Sequence, residues 1–266
     1  MPEPITTPGP GSFSVPTQQT SGGAPRSTSD RLGTSVVIQL ADDIVAGRYP
    51  PGSTLPTEPD LGRRFGVSRT VVRESVQLLQ DKGLVLIKRG VGTVVCGPET
   101  WDMIDDVVLE ALVRNDESLA VLDELVAVRV SLERDMAAAA AAGRTPEQTA
   151  ALQAAYDDMV REASDVEAFA VADVVFHDIV MAASGNRLGR AIVTSIHGKA
   201  RTTGRYVGAT SPAFASLTLN EHRRILDAVA NGDPAAASAA MHDHIIGSWS
   251  RRRPVQTQDA VSGDTP

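Results

Sequence analysis

A single cysteine, Cys96, stands in the 266 residues of this chain. An internal disulfide framework and any multi-cysteine zinc site are therefore excluded, and Cys96 is expected as a buried structural residue. Aromatic side chains make up only 4% of the chain, against 42% hydrophobic residues in all, and alanine is abundant. With so few bulky rings, the core has to be filled by aliphatic side chains and alanine, which favours helices packed closely on one another. The chain also lacks any run of about 18 apolar residues, the length a membrane-spanning helix needs. Its N-terminus lacks the basic-then-apolar order of a secretory signal. A cytoplasmic protein with no membrane attachment is expected, and the length leaves room for two modest domains.

Positive charge is scarce overall, with a formal net charge of −8, but the scarcity is uneven. Residues 31 to 97 hold nine Lys or Arg against six Asp or Glu, whereas residues 1 to 30 carry −1 and the remainder −10. A locally basic segment in an acidic chain suits a protein that adheres to nucleic acid at one place only.

Residues 1 to 30 are dominated by Pro, Ser, Thr and Gly and are expected to form a disordered arm, since they have almost nothing to bury. From Gly33, the residues Val36, Val37, Leu40, Ile44 and Val45 recur at helical spacing as far as Gly47. Tyr49-Pro-Pro-Gly-Ser-Thr-Leu-Pro56 then reads as an extended connection, because each proline disfavours helix in the residue before it. Glu58 to Phe65 reads as a short helix capped by Thr57 and closed by Gly66-Val67. Ser68 is a natural N-cap for a second helix that turns Val71, Val72, Val76 and Leu79 inward. Past Gly83, Leu84–Lys88 and Thr93–Cys96 read as two strands joined by Arg89-Gly-Val-Gly92. The pattern over residues 31 to 97 is a helix-turn-helix followed by a basic hairpin, or wing. Arg69 and Arg73 lie one turn apart at the start of the second helix, beside Ser68 and Thr70. Guanidinium can pair bidentately with guanine in a major groove, and a helix N-terminus favours phosphate. Arginines on an exposed helix are often only solvated surface. That alternative stays open for Arg63 and Arg64, while Arg69 and Arg73 sit inside a complete helix-turn-helix and wing.

The stretch Leu55-Pro-Thr-Glu-Pro-Asp-Leu-Gly-Arg-Arg-Phe-Gly-Val-Ser-Arg-Thr70, with its continuation through the wing to Val95, resembles the DNA-binding domain of GntR-type bacterial transcription regulators. The resemblance implies operator contacts at Ser68, Arg69, Arg73 and Gly90, with Arg63, Arg64, Thr70 and Arg89 as further candidates. Where the family has an arginine after its Leu-Pro-x-Glu opening, this chain has Pro59. A contact is expected to be lost there, with Arg63 or Arg64 placed to compensate.

After Gly97-Pro98 the strand signals disappear. Helical segments are expected near 100–114, 117–142, 146–163, 165–184, 187–207, 212–231 and 234–250, punctuated by Gly143, Gly185, Pro212 and Gly232. Thr145-Pro146 and Asp233-Pro234 each pair an N-cap with a first-turn proline. The expected fold is mainly α: a winged helix-turn-helix with a small β-hairpin over 31–97, and an all-α bundle over 98–250 for effector binding and dimerisation. Residues 251–266 are expected to be a flexible tail.

Asp173 and His177 are four apart and share one face of an otherwise apolar helix, and His222 and His244 lie on two later helices among apolar neighbours. One carboxylate and three imidazoles meeting in a bundle suit a divalent transition metal with open positions. Histidines buried for packing and satisfied by hydrogen bonds are the alternative. Leu125–Glu133 with the alanine run after it, Asp173-Val-Val-Phe-His177, Ala183-Ser-Gly-Asn186, Glu221–Ala228 and Met241-His-Asp-His244 resemble the FCD effector domain that accompanies this winged helix in the FadR subfamily. The resemblance implies metal ligands at Asp173, His177, His222 and His244, with His242 the alternative in the last pair. It implies zinc as the first candidate, nickel or another ion as the next, and a small carboxylate as effector. Arg129 is either a clamp for that carboxylate or the intrahelical partner of Glu133. Asn186 is either a ligand contact or a helix-end residue, and Arg201 and Arg205 either line the cavity or face solvent.

The function implied is a metabolite-responsive regulator, a repressor, that binds double-stranded operator DNA as a homodimer. A metal-dependent hydrolase or lyase is the alternative from another class, disfavoured because no second carboxylate, lysine or nucleophile is expected beside the histidines. A third possibility is a regulator whose metal is purely structural.

Overall fold

The computed structural model describes residues 28–202 and 212–253. The expected arm as far as residue 27, the end of the helix expected to reach 207 with Arg205 in it, and the tail after Arg253 lie outside the described residues, and so does the side chain of Arg201. The last three residues of the expected arm, Thr28–Asp30, are instead the first of a helix that begins five residues before Gly33.

The N-terminal unit is α1 (Thr28–Val45), α2 (Glu58–Phe65), α3 (Arg69–Asp81), β1 (Val85–Lys88) and β2 (Gly92–Val95). Leu40, Ala41, Leu61, Val72, Leu79 and Leu84 fill its core. The strands pair antiparallel from Val85↔Val95 to Lys88↔Gly92. That shifts both strands by a residue from the sequence expectation and leaves Arg89-Gly90-Val91 as a three-residue loop, with Gly90 at φ 80° where a left-handed residue is needed. The proline-rich connection lies along β2: Leu55 N–H donates to Thr93 O and Val95 N–H to Ser53 O, each at 2.8 Å. Thr57 does not cap α2 with its side chain; its hydroxyl donates to Asp60 instead, at 2.6 Å. Cys96, expected buried, is only half-buried, because it follows β2 at the edge of the hairpin.

The single helix expected over 100–114 is interrupted. Residues Pro98–Thr100 form one 3-10 turn, and α4 (Asp106–Asn115) starts only where Asp105 accepts hydrogen bonds from the Val107 and Val108 N–H groups. Gly83 explains the corner: at φ 74° it lets the chain pass so close to Thr100 that a Cβ would sit 1.9 Å from the Thr100 carbonyl oxygen. Gly83→Ala is therefore expected to cost at least about 1–3 kcal/mol from left-handed strain alone, with the backbone clash added. A urea midpoint equal to wild type would show that this corner does not constrain the fold.

Helix α4 packs into both halves of the molecule. Val108 and Ala111 belong to the winged-helix core, with Trp101 and Leu112 packed against it, while Leu109 and Val113 belong to the bundle core. The first core thus reaches beyond residue 97. Arg114 also pairs with Asp42 of α1. The bundle continues with α5 (Ala120–Gly143), α6 (Pro146–Arg161), α7 (Val166–Ala183), α8 (Arg187–Thr202), α9 (Pro212–Asn231) and α10 (Pro234–Arg252). Thr145 makes a full capping box with Gln148, and Asp233 caps α10 through Ala236 N–H, as the two Pro-containing starts predict. Helix α5 packs most extensively on α10. Ala137, Ala140 and Ala141 of α5 and Ala237 of α10 are fully buried in the bundle core, and such small side chains let helix axes approach closely.

Helix α10 runs past the point where a loose tail was expected. Arg251 forms a two-pronged bond to Glu221, at 2.7 and 2.8 Å, and Arg253 reaches Asp123 at 2.8 Å. These ion pairs, rather than apolar periodicity, hold residues 251–253.

Candidate metal centre and nucleic-acid interface

The Asp173 and His177 side chains leave α7 one turn apart and meet His222 from α9 and His244 from α10. One potential donor atom from each of the four lies within 4.8 Å of the others, and all four residues are buried, none more than 7% exposed. The fully buried Phe176 supplies an apolar wall, its ring edge-on to His222 at 4.7 Å between centroids. His242, two residues from His244, is turned away and contacts Asp243.

Each imidazole is anchored by its Nδ1. His177 Nδ1 is 2.7 Å from Glu133 Oε2, His244 Nδ1 is 3.0 Å from Glu221 Oε2, and His222 Nδ1 is 2.8 Å from the Thr218 carbonyl oxygen. Burial works against the Glu133 carboxylate, but Arg129 and His177 outweigh it and hold Glu133 well below the usual carboxylate range. Burial also opposes the charge on Glu221, yet the bonds from His244 and Arg251 bring it down to about 2. Both carboxylates are therefore ionised at neutral pH and, like a carbonyl, can only accept, so all three Nδ1 atoms donate. Burial, reinforced by His222, pushes His244 down to about 3, which keeps it neutral.

A neutral ring that donates from Nδ1 has a bare lone pair at Nε2. His177 Nε2 and His244 Nε2 face each other at 3.1 Å. His222 Nε2 lies 3.1 Å from Asp173 Oδ1, off the direction a hydrogen bond needs, and is a buried polar atom with no hydrogen-bond partner. Asp173 is itself ionised: burial opposes this, but its contact with His222 outweighs it and holds the carboxyl well below the usual range. Acceptors thus confront acceptors in a buried space, an arrangement that a cation between them would relieve. Separations near 3 Å are the donor spacings expected around a first-row ion with bonds of about 2.0–2.2 Å. The Asp-and-three-His set therefore fits a divalent transition ion.

The sequence reading expected no second carboxylate beside these histidines, and the structure corrects this with Glu133 and Glu221. Glu133 stands 44 positions from His177 in the chain. The available signal was that Arg129 and Glu133 share the buried stripe of α5 with Leu122, Val126, Met136 and Ala140. Arg129 Nε donates to Glu133 Oε1 at 2.7 Å, the intrahelical pair allowed by its spacing. Asn186 is exposed, and its Oδ1 accepts the Gly189 N–H at 2.9 Å at the start of α8.

On the other unit, Ser68 caps α3 through Val71 N–H, and Ser68, Arg69, Thr70 and Arg73 are all exposed. Among the described residues, no hydrogen bond or ion pair ties down the Arg69, Arg73 or Arg89 side chain. Arg89 and Gly90 form the exposed tip of the wing, which is tied to α3 where Gln80 Oε1 accepts the Ile87 N–H at 2.9 Å. Arg63 pairs with Asp60 beside it. Arg64 is engaged inward, at 2.6 Å from Asp43 and 2.8 Å from the Tyr49 hydroxyl.

A winged helix-turn-helix carrying unpaired arginines, joined to an all-α unit with a buried polar centre, is the layout of a DNA-binding regulator with a second, helical domain. Comparison with known proteins agrees. The family model described as bacterial regulatory proteins, gntR family, matches residues 32–95, and the FCD domain model matches residues 124–247. The galactonate operon transcriptional repressor of Escherichia coli is 30% identical over 220 residues, covering 83% of this chain and 96% of the relative. The regulator Rv0494 of Mycobacterium tuberculosis is 36% identical over 223 residues, 82% and 88% of the two chains, and LutR of Bacillus subtilis 32% over 203 residues, 75% and 91%. The solved structure of Lar, a regulator of the Listeria monocytogenes agr system, shares the fold at a TM-score of 0.56 and 19% identity, over 83% of this chain and 96% of its own. The chain belongs to the GntR family of bacterial transcription regulators and has the winged-helix-plus-FCD architecture of the FadR subfamily. Among the described residues, no helix is long and apolar enough to cross a membrane.

Proposed function

We propose that the protein is a repressor that binds an operator as a homodimer, holds a divalent transition ion on Asp173, His177, His222 and His244, and changes operator affinity when a small carboxylate binds at that ion. Zinc is the first candidate for the ion. The observation that carries the reading is the buried confrontation of acceptors: two Nε2 atoms 3.1 Å apart and a third Nε2 3.1 Å from a carboxylate.

Charge supports a carboxylate effector. Arg129 balances Glu133 and Arg251 balances Glu221, and Asp173 adds one further negative charge. A divalent ion would turn that balance to one positive, which a monocarboxylate cancels in a buried site where net charge is costly. The galactonate operon repressor points to sugar acids as the first class to screen. In this reading the ion supplies Lewis acidity toward a carboxylate oxygen. Catalysis is disfavoured because Glu133 and Glu221 are held ionised by arginines far below neutral pH, where they make poor general bases.

The test starts from a thermal-shift screen of zinc-loaded protein against sugar and hydroxy acids. The selected acid is then titrated into the operator complex of wild type and of His222→Ala. The wild-type affinity is expected to fall by about 5- to 150-fold, the usual size of an allosteric coupling. His222→Ala should keep its operator and lose most of that response. If both proteins respond identically while the variant is shown to lack zinc, the ion is structural and the effector acts elsewhere.

A further inference from the structure

Two glutamates outside the four-residue set stand where they decide which ring nitrogen each histidine offers. We infer that Glu133 and Glu221 are positioning residues that lock His177 and His244 in the Nδ1–H form, so that both Nε2 lone pairs point into the cluster, and that Arg129 and Arg251 hold the two glutamates for this purpose. The inference rests on the metal reading only for its consequence in ion affinity; the choice of tautomer stands independently.

The same order of contacts, arginine to glutamate to histidine, runs on both sides of the cluster with different geometry. Glu133 divides its oxygens, Oε1 accepting from Arg129 Nε at 2.7 Å and Oε2 facing His177 Nδ1 at 2.7 Å. Glu221 accepts Arg251 Nη1 on Oε1 at 2.7 Å and Nη2 on Oε2 at 2.8 Å, with His244 Nδ1 at 3.0 Å from Oε2. Room for the second arrangement comes from Gly247, one turn before Arg251. A Cβ there would lie 3.0 Å from Arg251 Nη1 and 3.2 Å from Glu221 Oε1. A carboxylate on the far nitrogen fixes the ring's tautomer and orientation and raises its basicity as a ligand. An arginine on that carboxylate keeps it charged and prevents it from rotating away. His222 uses the Thr218 carbonyl for the same purpose at 2.8 Å, so the three rings are oriented by acceptors on α5 and α9. Arg129 thereby acquires a role through Glu133.

The test exploits the single oxygen of glutamine. In Glu133→Gln, Arg129 must still face an acceptor, so the amide oxygen turns to Arg129 and the NH2 group to His177. That forces Nδ1 to accept and puts the proton on Nε2, inside the cluster. In metal-free, ring-15N-labelled wild type at mildly alkaline pH, His177 and His244 should show protonated Nδ1 and bare Nε2. Glu133→Gln should move the proton of His177 to Nε2 and weaken zinc binding by about 10- to 100-fold in chelator competition. Glu221→Ala, at a less buried position, should leave His244 as a mixture of both tautomers and weaken zinc by roughly 10-fold. A purely structural role would lower the melting temperature of these variants and leave the 15N pattern as in wild type, which overturns the proposal, as does an Nε2–H form of either ring in wild type. If wild-type protein takes up no zinc but the tautomers respond as stated, the positioning role stands and the metal reading fails.

Discussion

Removing the ion with a chelator is expected to lower the wild-type melting temperature by roughly 10 °C. An ion held at about a thousand times its dissociation constant contributes about 4 kcal/mol, and a domain of this size shifts by about 2–4 °C per kcal/mol. The effect is large because the donors come from three helices that touch at the cluster, α7, α9 and α10. Without a cation, two of their lone pairs face one another at 3.1 Å among buried side chains, with Phe176 packed against His222. In His177→Ala one donor and one of the facing lone pairs disappear together. Its melting temperature should therefore start low, and chelation should move it little. Differential scanning calorimetry on zinc-loaded and stripped samples of both proteins measures this, with a zinc titration to report stoichiometry. Identical melting of stripped and loaded wild type, with no heat on titration, would leave the four residues as an ordinary buried polar cluster.

Loss of operator binding in Arg69→Ala and Arg73→Ala is the second large effect expected. Both side chains are exposed on the first turns of α3, and no acidic partner among the described residues engages them. An arginine that reads a base edge is worth about 1–3 kcal/mol, so each substitution should weaken the operator by roughly 5- to 150-fold and relax preference at one base pair. A residue that only meets phosphate would weaken all sequences alike and reduce the salt dependence. Arg64→Ala provides the contrast. Arg64 is bonded to Asp43 and Tyr49, so its loss should cost about 1 kcal/mol of stability, the modest value of a half-exposed pair, with base preference unchanged. Anisotropy titrations at fixed salt, with sedimentation to follow the expected dimer, distinguish these outcomes. Wild-type affinity in both α3 variants would mean that another surface reads the DNA.

Pro59 bears on the same interface. It occupies the first turn of α2, where its missing N–H costs nothing, so it keeps the helix while removing the charge carried by an arginine. Arg63 is exposed beside it but paired with Asp60, and Arg64 is turned inward. Of the two candidates to replace the lost contact, Arg63 could do so by exchanging one exposed ion pair for another, whereas Arg64 would have to leave Asp43.

The elements visible in advance are those whose causes are local. Ser68 before Val71 and Val72, Thr145-Pro146, Asp233-Pro234 and the left-handed Gly83, Gly185 and Gly232 are decided by neighbours a few residues away. So are the four-residue spacing of Asp173 and His177 and the two-arginine start of α3. These features are enough to place a winged helix, an all-α unit and the Asp173–His177 pair on the chain, whereas the four-ligand set came from the resemblance to the FCD domain.

Whatever depends on partners distant in sequence was decided only by folding. The break before Asp106 depends on Gly83 meeting Thr100 and on Asp105 capping α4; apolar spacing alone could not distinguish it from a continuous helix. Arg63 and Arg64 are adjacent and chemically identical, yet one faces solvent and the other meets Asp43, 21 positions away. Arg251 looked like the start of a tail because its bond to Glu221 spans 30 positions, and Glu133 looked like a helical ion pair because His177 lies 44 positions on. A side chain's periodicity records which way it points from its own helix. Only the packing of α5, α7, α9 and α10 determines what it then meets, and here that packing turns two ordinary glutamates into the groups that orient the histidines.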